Sequence, residues 1–381
     1  MSGRLEELRR QIDQIDRQLV DLIVQRFLVT DQVGEYKRQT GKAVFDPVRE
    51  RAVIQDRVAR VQDPHSKAAV GSLFELMMAN SRQNQRRLCR DSVEALLRQL
   101  PAFQKMKPDE HTVVAYGGVE GSFGEEALLS LFGRTPIRTG FPYFSQVVDA
   151  VKTGQASYGV LPIENSSTGA VNEVYDLLRD SGCYIVREVK LPIRHCLLGL
   201  EGAALEDIQK VYSHPQGLSQ SSQFLQRHSN WECVPYLNTA MSAKLVKETG
   251  DKALAAVGSK RCAQEYGLRI LAEGINDFPH NHTRFVAISS KSLVSPEADK
   301  ISLCFDLAHT TGSLYQILTF FSINQINLLK LESRPIPDKN WEYSFFIDME
   351  GNIEQQKVQD AICSVMDETT RFRYLGNYIG G

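Results

Sequence analysis

The sequence predicts a multidomain chain: an all-α unit of three helices, an α/β unit, and an α+β unit of ferredoxin-like order. Three observations carry this. Glycine and proline, the residues that punctuate turns, number only four and two over residues 1–100, against 22 and 12 in the rest of the chain. Residues 5–36 place apolar side chains at heptad spacing. Beyond residue 112, short apolar runs alternate with Gly-rich or polar turns and helical stretches, the pattern of layered α and β structure.

With 381 residues the chain has room for two or three domains at about 150 residues each. Its net charge of −2 hides a split. Residues 1–100 hold 18 Lys and Arg, 15 of them Arg, against 14 Asp and Glu, a local +4 that leaves −6 elsewhere. A chain this close to neutral is not built to coat nucleic acid, and no nucleic-acid partner is expected. The start, MSGRLEELRR, lacks the apolar core of a signal peptide. No apolar run reaches the ~18 residues of a membrane helix, so no membrane association is expected. Seven cysteines, odd in number and without a CxxC pair, read as reduced thiols of a cytoplasmic protein. They offer no zinc site, and neither a metal nor a cofactor is expected. Polar joints at AFQKMKPDEHT (102–112) and SPEADK (295–300) suggest units over residues 1–104, 112–290 and 298–381.

In the first unit, Leu5, Leu8, Ile12, Ile15, Leu19, Leu22, Val29, Val33 and Tyr36 form one helical seam. Arg26 interrupts it. A buried, unpaired arginine costs several kcal/mol (about 3–5), so Arg26 either meets an anion, specifies chain pairing or snorkels out. Asp46-Pro47 reads as a helix start, Asp capping and Pro in the first turn, with Arg49 and Glu50 following. A last helix is expected over 67–100, with Val70, Leu73, Phe74, Met77, Leu88 and Leu96 as its stripe and Ser81 and Gln85 as polar positions on it. Arg26 and Lys37 project from nearly one face of the first helix. Arg9 lies 28 residues from Lys37, roughly 42 Å along a straight helix, so it reaches the same site only from a second chain or a folded-back helix.

In the middle unit, TVVAYGGVEGSFGEEALLSLF and ASYGVLPIENSSTGAVNEVYDLL each read as strand, turn, helix, and such turns present backbone N–H groups to anions. The first turn is not GxGxxG, which argues against a nucleotide. Two lobes sharing a cleft are expected, the last stretch returning to the first lobe as a strand. Three clusters look chemical: Glu164-Asn165-Ser166, Ser213-His214-Pro215-Gln216 with Gln220, and Asn281-His282-Thr283-Arg284. Taken alone, ENS is more often a turn or cap. The histidines make no metal-ligand set, and no GxSxG nucleophile elbow is present. The last unit reads as βαββαβ. Ile301, Leu303, Phe305 and Leu307 alternate in a first strand, and Trp341, Tyr343, Phe345 and Ile347 in a third.

These residues also carry resemblances. LRRQID, QR at 25–26, EYKR, DPVRE and NSRQNQ make the first unit similar to the helical class of chorismate mutases. That resemblance implies an intertwined homo-oligomer, one arginine donated in trans, and a unimolecular rearrangement of chorismate to prephenate that needs no nucleophile. It implies that Arg9 and Arg26 clamp substrate carboxylates, and that Lys37 and Gln85 donate to the ether oxygen. Glu50 would accept from the substrate hydroxyl, while Asp46, Arg49 and Ser81 orient these groups or touch a carboxylate; for Asp46 a plain helix cap is as good a reading.

AYGGVEGSF, YGVLPIENSSTGAVNE, LPIRHCLL, YSHPQGLSQ, ALAAVGSKRCAQEYGL and NDFPHNHTRF resemble prephenate dehydratase, in family order. This implies a two-lobed fold like the periplasmic binding proteins, with prephenate losing CO2 and water in the cleft. Thr283 would assist the departing hydroxyl. Asn165, Ser166, Ser213 and Gln220 would fix the substrate, and Arg284 would suit a carboxylate or equally a structural pair. His214 and His282 are the second choice for proton delivery. Gly312-Ser313-Leu314 and Glu332-Ser333-Arg334 resemble the ACT regulatory domain fused to this dehydratase, implying feedback inhibition by L-phenylalanine bound between chains. Two rivals stand beside this reading: a dehydratase whose helical unit is only a dimer clamp, and a non-enzymatic amino-acid sensor.

Overall fold

The computed structural model describes residues 2–87, 94–95, 97–98, 108–293, 295–337, 339 and 341–381. The regular structure of the first unit is helical among the described residues. α1 (Ser2–Thr40) is one unbroken helix of 39 residues, about 58 Å long. α2 (Pro47–Ala59) starts at Asp46-Pro47: Asp46 has extended backbone, and its carboxylate accepts the Arg49 N–H at 3.0 Å. α3 (Pro64–Arg87) begins before residue 67, because Asp63-Pro64 repeats the same device and Asp63 accepts the Ser66 N–H at 2.7 Å. Leu88, Leu96 and most of the first expected linker lie outside the described residues. Gly34 lets α1 close on α3, since a Cβ there would meet the Gln85 Cγ at 2.9 Å.

The middle unit opens with β1 (Val113–Gly117), α4 (Phe123–Phe132), β2 (Ile137–Phe141), α5 (Phe144–Lys152), β3 (Tyr158–Asn165), β4 (Gly169–Ala170), α6 (Asn172–Ser181) and β5 (Tyr184–Pro192), the first lobe. Residues 193–195 cross to the second lobe. It holds β6 (Cys196–Gly199), β7 (Lys210–Ser213), α7 (Pro215–Ser219), α8 (Ser222–Gln226), β8 (Glu232–Pro235), α9 (Thr239–Thr249), β9 (Leu254–Gly258), α10 (Lys260–Tyr266) and β10 (Arg269–Glu273). The chain then returns as β11 (His282–Ser289), which inserts between β3 and β5. The sheets run β2-β1-β3-β11-β5 and β10-β6-β9-β7-β8. β1 is parallel to both β2 and β3, whereas β11 is antiparallel to β3 and β5. The expected return strand is therefore present, and its register sets Thr283 opposite Asn165 and Arg284 opposite Glu164.

The last unit runs β12 (Lys300–Leu307), α11 (Ser313–Ile323), β13 (Leu328–Pro335), β14 (Tyr343–Glu350), α12 (Gln356–Glu368) and β15 (Arg371–Tyr378), in a sheet ordered β13-β14-β12-β15. Two expectations fail here. β12 alternates in sequence but is buried at every position. Its small side, with Cys304, packs on the first lobe, whose core also takes Phe346, Leu375 and Tyr378. A Cβ at Gly376 would collide with the Ile185 carbonyl, so the two sheets touch there backbone to backbone. Trp341 is not on a strand: it stands before β14 in the left-handed region (φ 64°), exposed, and the alternating run begins only at Tyr343.

Candidate active sites

The helical site gathers on the facing sides of α1 and α3. Arg26 is half-buried and donates to the Ser81 hydroxyl at 2.7 Å, which itself donates to the Met77 carbonyl. Lys37 donates to the Val44 carbonyl at 2.6 Å, leaving two hydrogens unspent. Burial lowers the Lys37 amine below its ordinary value, partly offset by Asp46 and Glu50; burial likewise lowers Arg26. Gln85 is buried, and its Oε1 has no partner among the described residues. Asp46 serves as the α2 cap, the plainer of its two readings, and Arg49 points its N–H at that cap while its side chain is exposed. Glu50 is engaged by Arg82, which sequence reasoning passed over. Arg82 lies three residues before Gln85 on α3 and also sits 3.0 Å from Glu368 of α12. The helical spacing to Gln85 was the signal that could have found it. Arg9 is exposed on the free stretch of α1. The seam residues around it, Leu5, Leu8, Ile12, Ile15, Leu19 and Leu22, are 48–61% exposed within one chain.

In the two-lobed unit the structure brings Asn165, Gln220 and Thr283 together and sends Ser213 and Arg284 elsewhere. Asn165, at the end of β3, donates from Nδ2 to Thr283 Oγ1 at 2.8 Å and to Asn281 Oδ1 at 2.9 Å. Its Oδ1 accepts the backbone N–H groups of Ser167 (2.9 Å) and Thr168 (3.2 Å). Gln220 follows α7 in the second lobe and donates to Ser167 Oγ across the cleft at 3.0 Å; Gln216 likewise donates to Thr168 Oγ1 at 2.9 Å. Ser166 holds the head of β11 by accepting the His282 N–H at 2.9 Å. Ser213, expected to contact substrate, is fully buried and donates to the Val257 carbonyl at 2.9 Å, tying β7 to β9. His214 caps α7, its Nδ1 accepting the Gln216 N–H, and His282 Nδ1 bonds the His280 carbonyl.

Arg284 is the larger correction. Adjacent strand residues face opposite sides of a sheet, so Thr283 and Arg284 cannot share a cleft. The Arg284 guanidinium is buried against Glu188 (2.7 Å), Asp348 (2.5 Å) and the Tyr378 hydroxyl (3.0 Å). It is the structural pair that the sequence left open. Burial pushes the Glu188 carboxyl up, but Arg284 and Lys300 beside it more than offset this and hold it below 4.5. The ion-pair contribution is therefore present above pH 4.5 and is lost as pH falls through the lowered native value. Arg284→Ala leaves buried Asp348 without its cation and Glu188 with Lys300 as its remaining ion-pair partner among the described residues, and is expected to cost about 3–5 kcal/mol, read as a lower urea midpoint at pH 7; an unchanged midpoint rejects the pairing as a stabilising contact.

The same two-sidedness continues in the last unit. On β13, Lys330 bonds Glu164 at 2.7 Å and Arg334 forks onto Asp176 of α6 at 2.7 and 3.3 Å. Arg334 is thus taken up by the first lobe rather than left for a ligand, and Glu332 approaches Lys330 at 3.7 Å. Ser333 faces outward, and Gly312, Ser313 and Leu314 form the start of α11.

Comparison with known proteins follows this division. The family model for chorismate mutase type II matches residues 8–86, and that for prephenate dehydratase matches residues 114–293. The bifunctional chorismate mutase/prephenate dehydratase of Aquifex aeolicus is 32% identical over 375 residues, covering 98% of this chain and 97% of that one. A prephenate dehydratase from Arthrobacter aurescens, solved in complex with L-Phe, is 29% identical with a TM-score of 0.65, covering 70% of this chain and 90% of that one. A structure described as a quorum-quenching acylase is 28% identical, also with a TM-score of 0.65, covering 71% of this chain and 98% of that one. Since the Aquifex relative matches almost end to end, across both catalytic units, the chain belongs to the bifunctional chorismate mutase/prephenate dehydratase family of enzymes.

Proposed function

We propose that the chain converts chorismate to prephenate at the α1–α3 site and prephenate to phenylpyruvate between the two lobes, as an enzyme of phenylalanine biosynthesis. For the first reaction the helices hold one substrate conformer while cations meet its carboxylates and the breaking ether. Arg26 and Lys37 are within one chain; Arg9 would come from a second chain, and the exposed seam of α1 supports a homo-oligomer that covers it. Glu50 would act on the substrate hydroxyl with its carboxylate held by Arg82. In the second reaction the ring carboxylate departs as CO2, its bonding electrons enter the ring, and the ring hydroxyl leaves with a proton as water. Thr283 gives that proton or hydrogen bond and is resupplied from solvent.

One observation carries the second assignment: Thr283 Oγ1 receives the Asn165 Nδ2–H, so its own hydroxyl hydrogen is free to point at the substrate. Asn281 Nδ2, buried without a partner among the described residues, supplies a further donor beside it. Acyl transfer is not supported, because it needs a base on the hydroxyl, whereas an amide takes no proton.

The proposed domain bounds are 1–104, 112–290 and 298–381, the last an ACT-type unit that binds L-phenylalanine. Its βαββαβ order supports an ACT-type unit, and its ion pairs onto Glu164 and Asp176 join it to the first lobe, so that a ligand there could act on the cleft. The test is to supply chorismate alone and follow phenylpyruvate with and without L-phenylalanine, alongside a calorimetric titration. Phenylpyruvate suppressed by phenylalanine, with binding heat, is expected. Chorismate untouched while added prephenate reacts makes the helical unit a clamp, and absence of heat rejects the sensor.

A further inference from the structure

The direction of the hydrogen bonds around Thr283 can be deduced atom by atom. Two backbone N–H groups, of Ser167 and Thr168, converge on one side-chain atom of Asn165. An N–H only donates, so that atom is the carbonyl Oδ1. Ser167 Oγ lies 2.6 Å from the same Oδ1 and must donate to it. Its hydrogen spent, Ser167 Oγ can only accept from Gln220, which therefore presents its amide nitrogen at 3.0 Å. Gln220 Oε1 is then fixed as the atom 3.0 Å from His195 Nε2, and Nε2 must carry a hydrogen. The chain reads His195, Gln220, Ser167, Asn165, Thr283, each group donating to the next.

His195 lies in the crossing from β5 to β6, 2% exposed, with the Phe123 ring edge-on at a centroid separation of 5.8 Å. The crossing is itself braced: the His195 N–H donates to Asn276 Oδ1 at 2.6 Å, and the Ile275 N–H donates to the His195 carbonyl at 3.0 Å. Its Nδ1 has no partner among the described residues. This agrees with the deduction, since the neutral ring with hydrogen on Nε2 leaves Nδ1 without one. The imidazole thus sits at the hinge between the lobes and grips the glutamine that spans the cleft.

We propose that His195 is a positioning residue for the dehydratase reaction, acting through its Nε2–H on Gln220 and thereby on Asn165 and Thr283. This rests on the assignment of prephenate dehydration to the cleft and names a residue that assignment does not use. If the Nε2–H is lost, the Gln220 amide can rotate. It can then present oxygen to Ser167, so that the fixed polarity that frees the Thr283 hydroxyl no longer holds.

The test compares His195→Leu and His195→Gln in the full chain, with prephenate as substrate. Gln places an amide N–H near the position of Nε2, and Leu does not. His195→Leu is expected to lower kcat about 10–100-fold with KM changed less than about threefold, less than the loss of a direct transition-state donor because His195 acts only through Gln220. His195→Gln is expected to recover most of that loss. Chorismate turnover, at a site in another unit, should be the same in all three proteins and reports an intact fold. Leu matching wild type overturns the proposal. So does Gln failing as badly as Leu with mutase activity intact, because packing rather than the N–H would then be what matters. Should Leu also lose mutase activity, the Gln variant and a long-range 1H–15N spectrum of the wild-type imidazole decide: hydrogen on Nδ1 instead of Nε2 overturns it. A wild type inactive on prephenate instead overturns the cleft assignment itself.

Discussion

Thr283→Ala is expected to lower prephenate turnover by about 10²–10⁴-fold, the range lost with a positioned proton donor. The residue is 8% exposed and its oxygen is held by Asn165, so the hydroxyl is oriented before substrate arrives. Alanine removes the donor and leaves one Asn165 hydrogen without its acceptor, although Asn281 still takes the other at 2.9 Å. The local frame therefore survives while the chemistry does not. Thr283→Ser keeps the oxygen and should stay within about tenfold of wild type, because only a methyl contact is lost. Phenylpyruvate formation measures both, and chorismate consumption by the same preparation is the internal control. Retention of activity in the alanine variant would move proton delivery to His214 or His282, whose Nδ1 atoms already hold loop bonds.

Lys37→Ala is the second large effect. It should lower chorismate turnover by about 10²–10³-fold, the usual loss for one preorganised electrostatic donor, with sedimentation the same as that of the wild type. A pericyclic shift uses no acid or base, so the ammonium acts through its charge on the developing ether oxygen. That charge must be present: with burial drawing Lys37 below 10.5, the rate should fall on the alkaline side before the ordinary lysine range is reached. Chorismate loss against pH, with sedimentation of the variant, checks both points. Near-normal turnover would reduce the helical unit to a dimer clamp.

Much of the fold could be read from local signals. Asp46-Pro47 marked the start of α2, the heptad seam marked α1, and the returning strand β11 followed from its apolar run. The expected start at residue 67 falls three residues past the observed start of α3, although Asp63-Pro64 carries the same signature, because the apolar stripe begins only at Val70. The site was legible where chemistry sits on turns, as at Asn165, Gln220 and Thr283. It was not legible where a partner comes from far away in sequence. For Arg284 a ligand role and a structural pair stay equally open in the sequence, because Asp348 and Tyr378, which bind it, lie in another unit. The Arg82 partner of Glu50 gave no signal beside it, because Arg82 stands a helix away. His195 lies inside LPIRHCLL, but a histidine between two apolar strands gives no hint of what it faces.

Arg284, one residue from Thr283 yet on the other side of the sheet, bears on how such a chain can be divided. A fragment ending before β12 would keep every side chain of the cleft but would leave that guanidinium with Glu188 and Glu164 as its carboxylate neighbours, stripped of Asp348 and Tyr378. The dehydratase unit is therefore not a cassette that can be lifted out whole. Its boundary in sequence and its boundary in electrostatics differ, and a transplanted version would need new partners for Arg284 and Glu188 before it could stand alone.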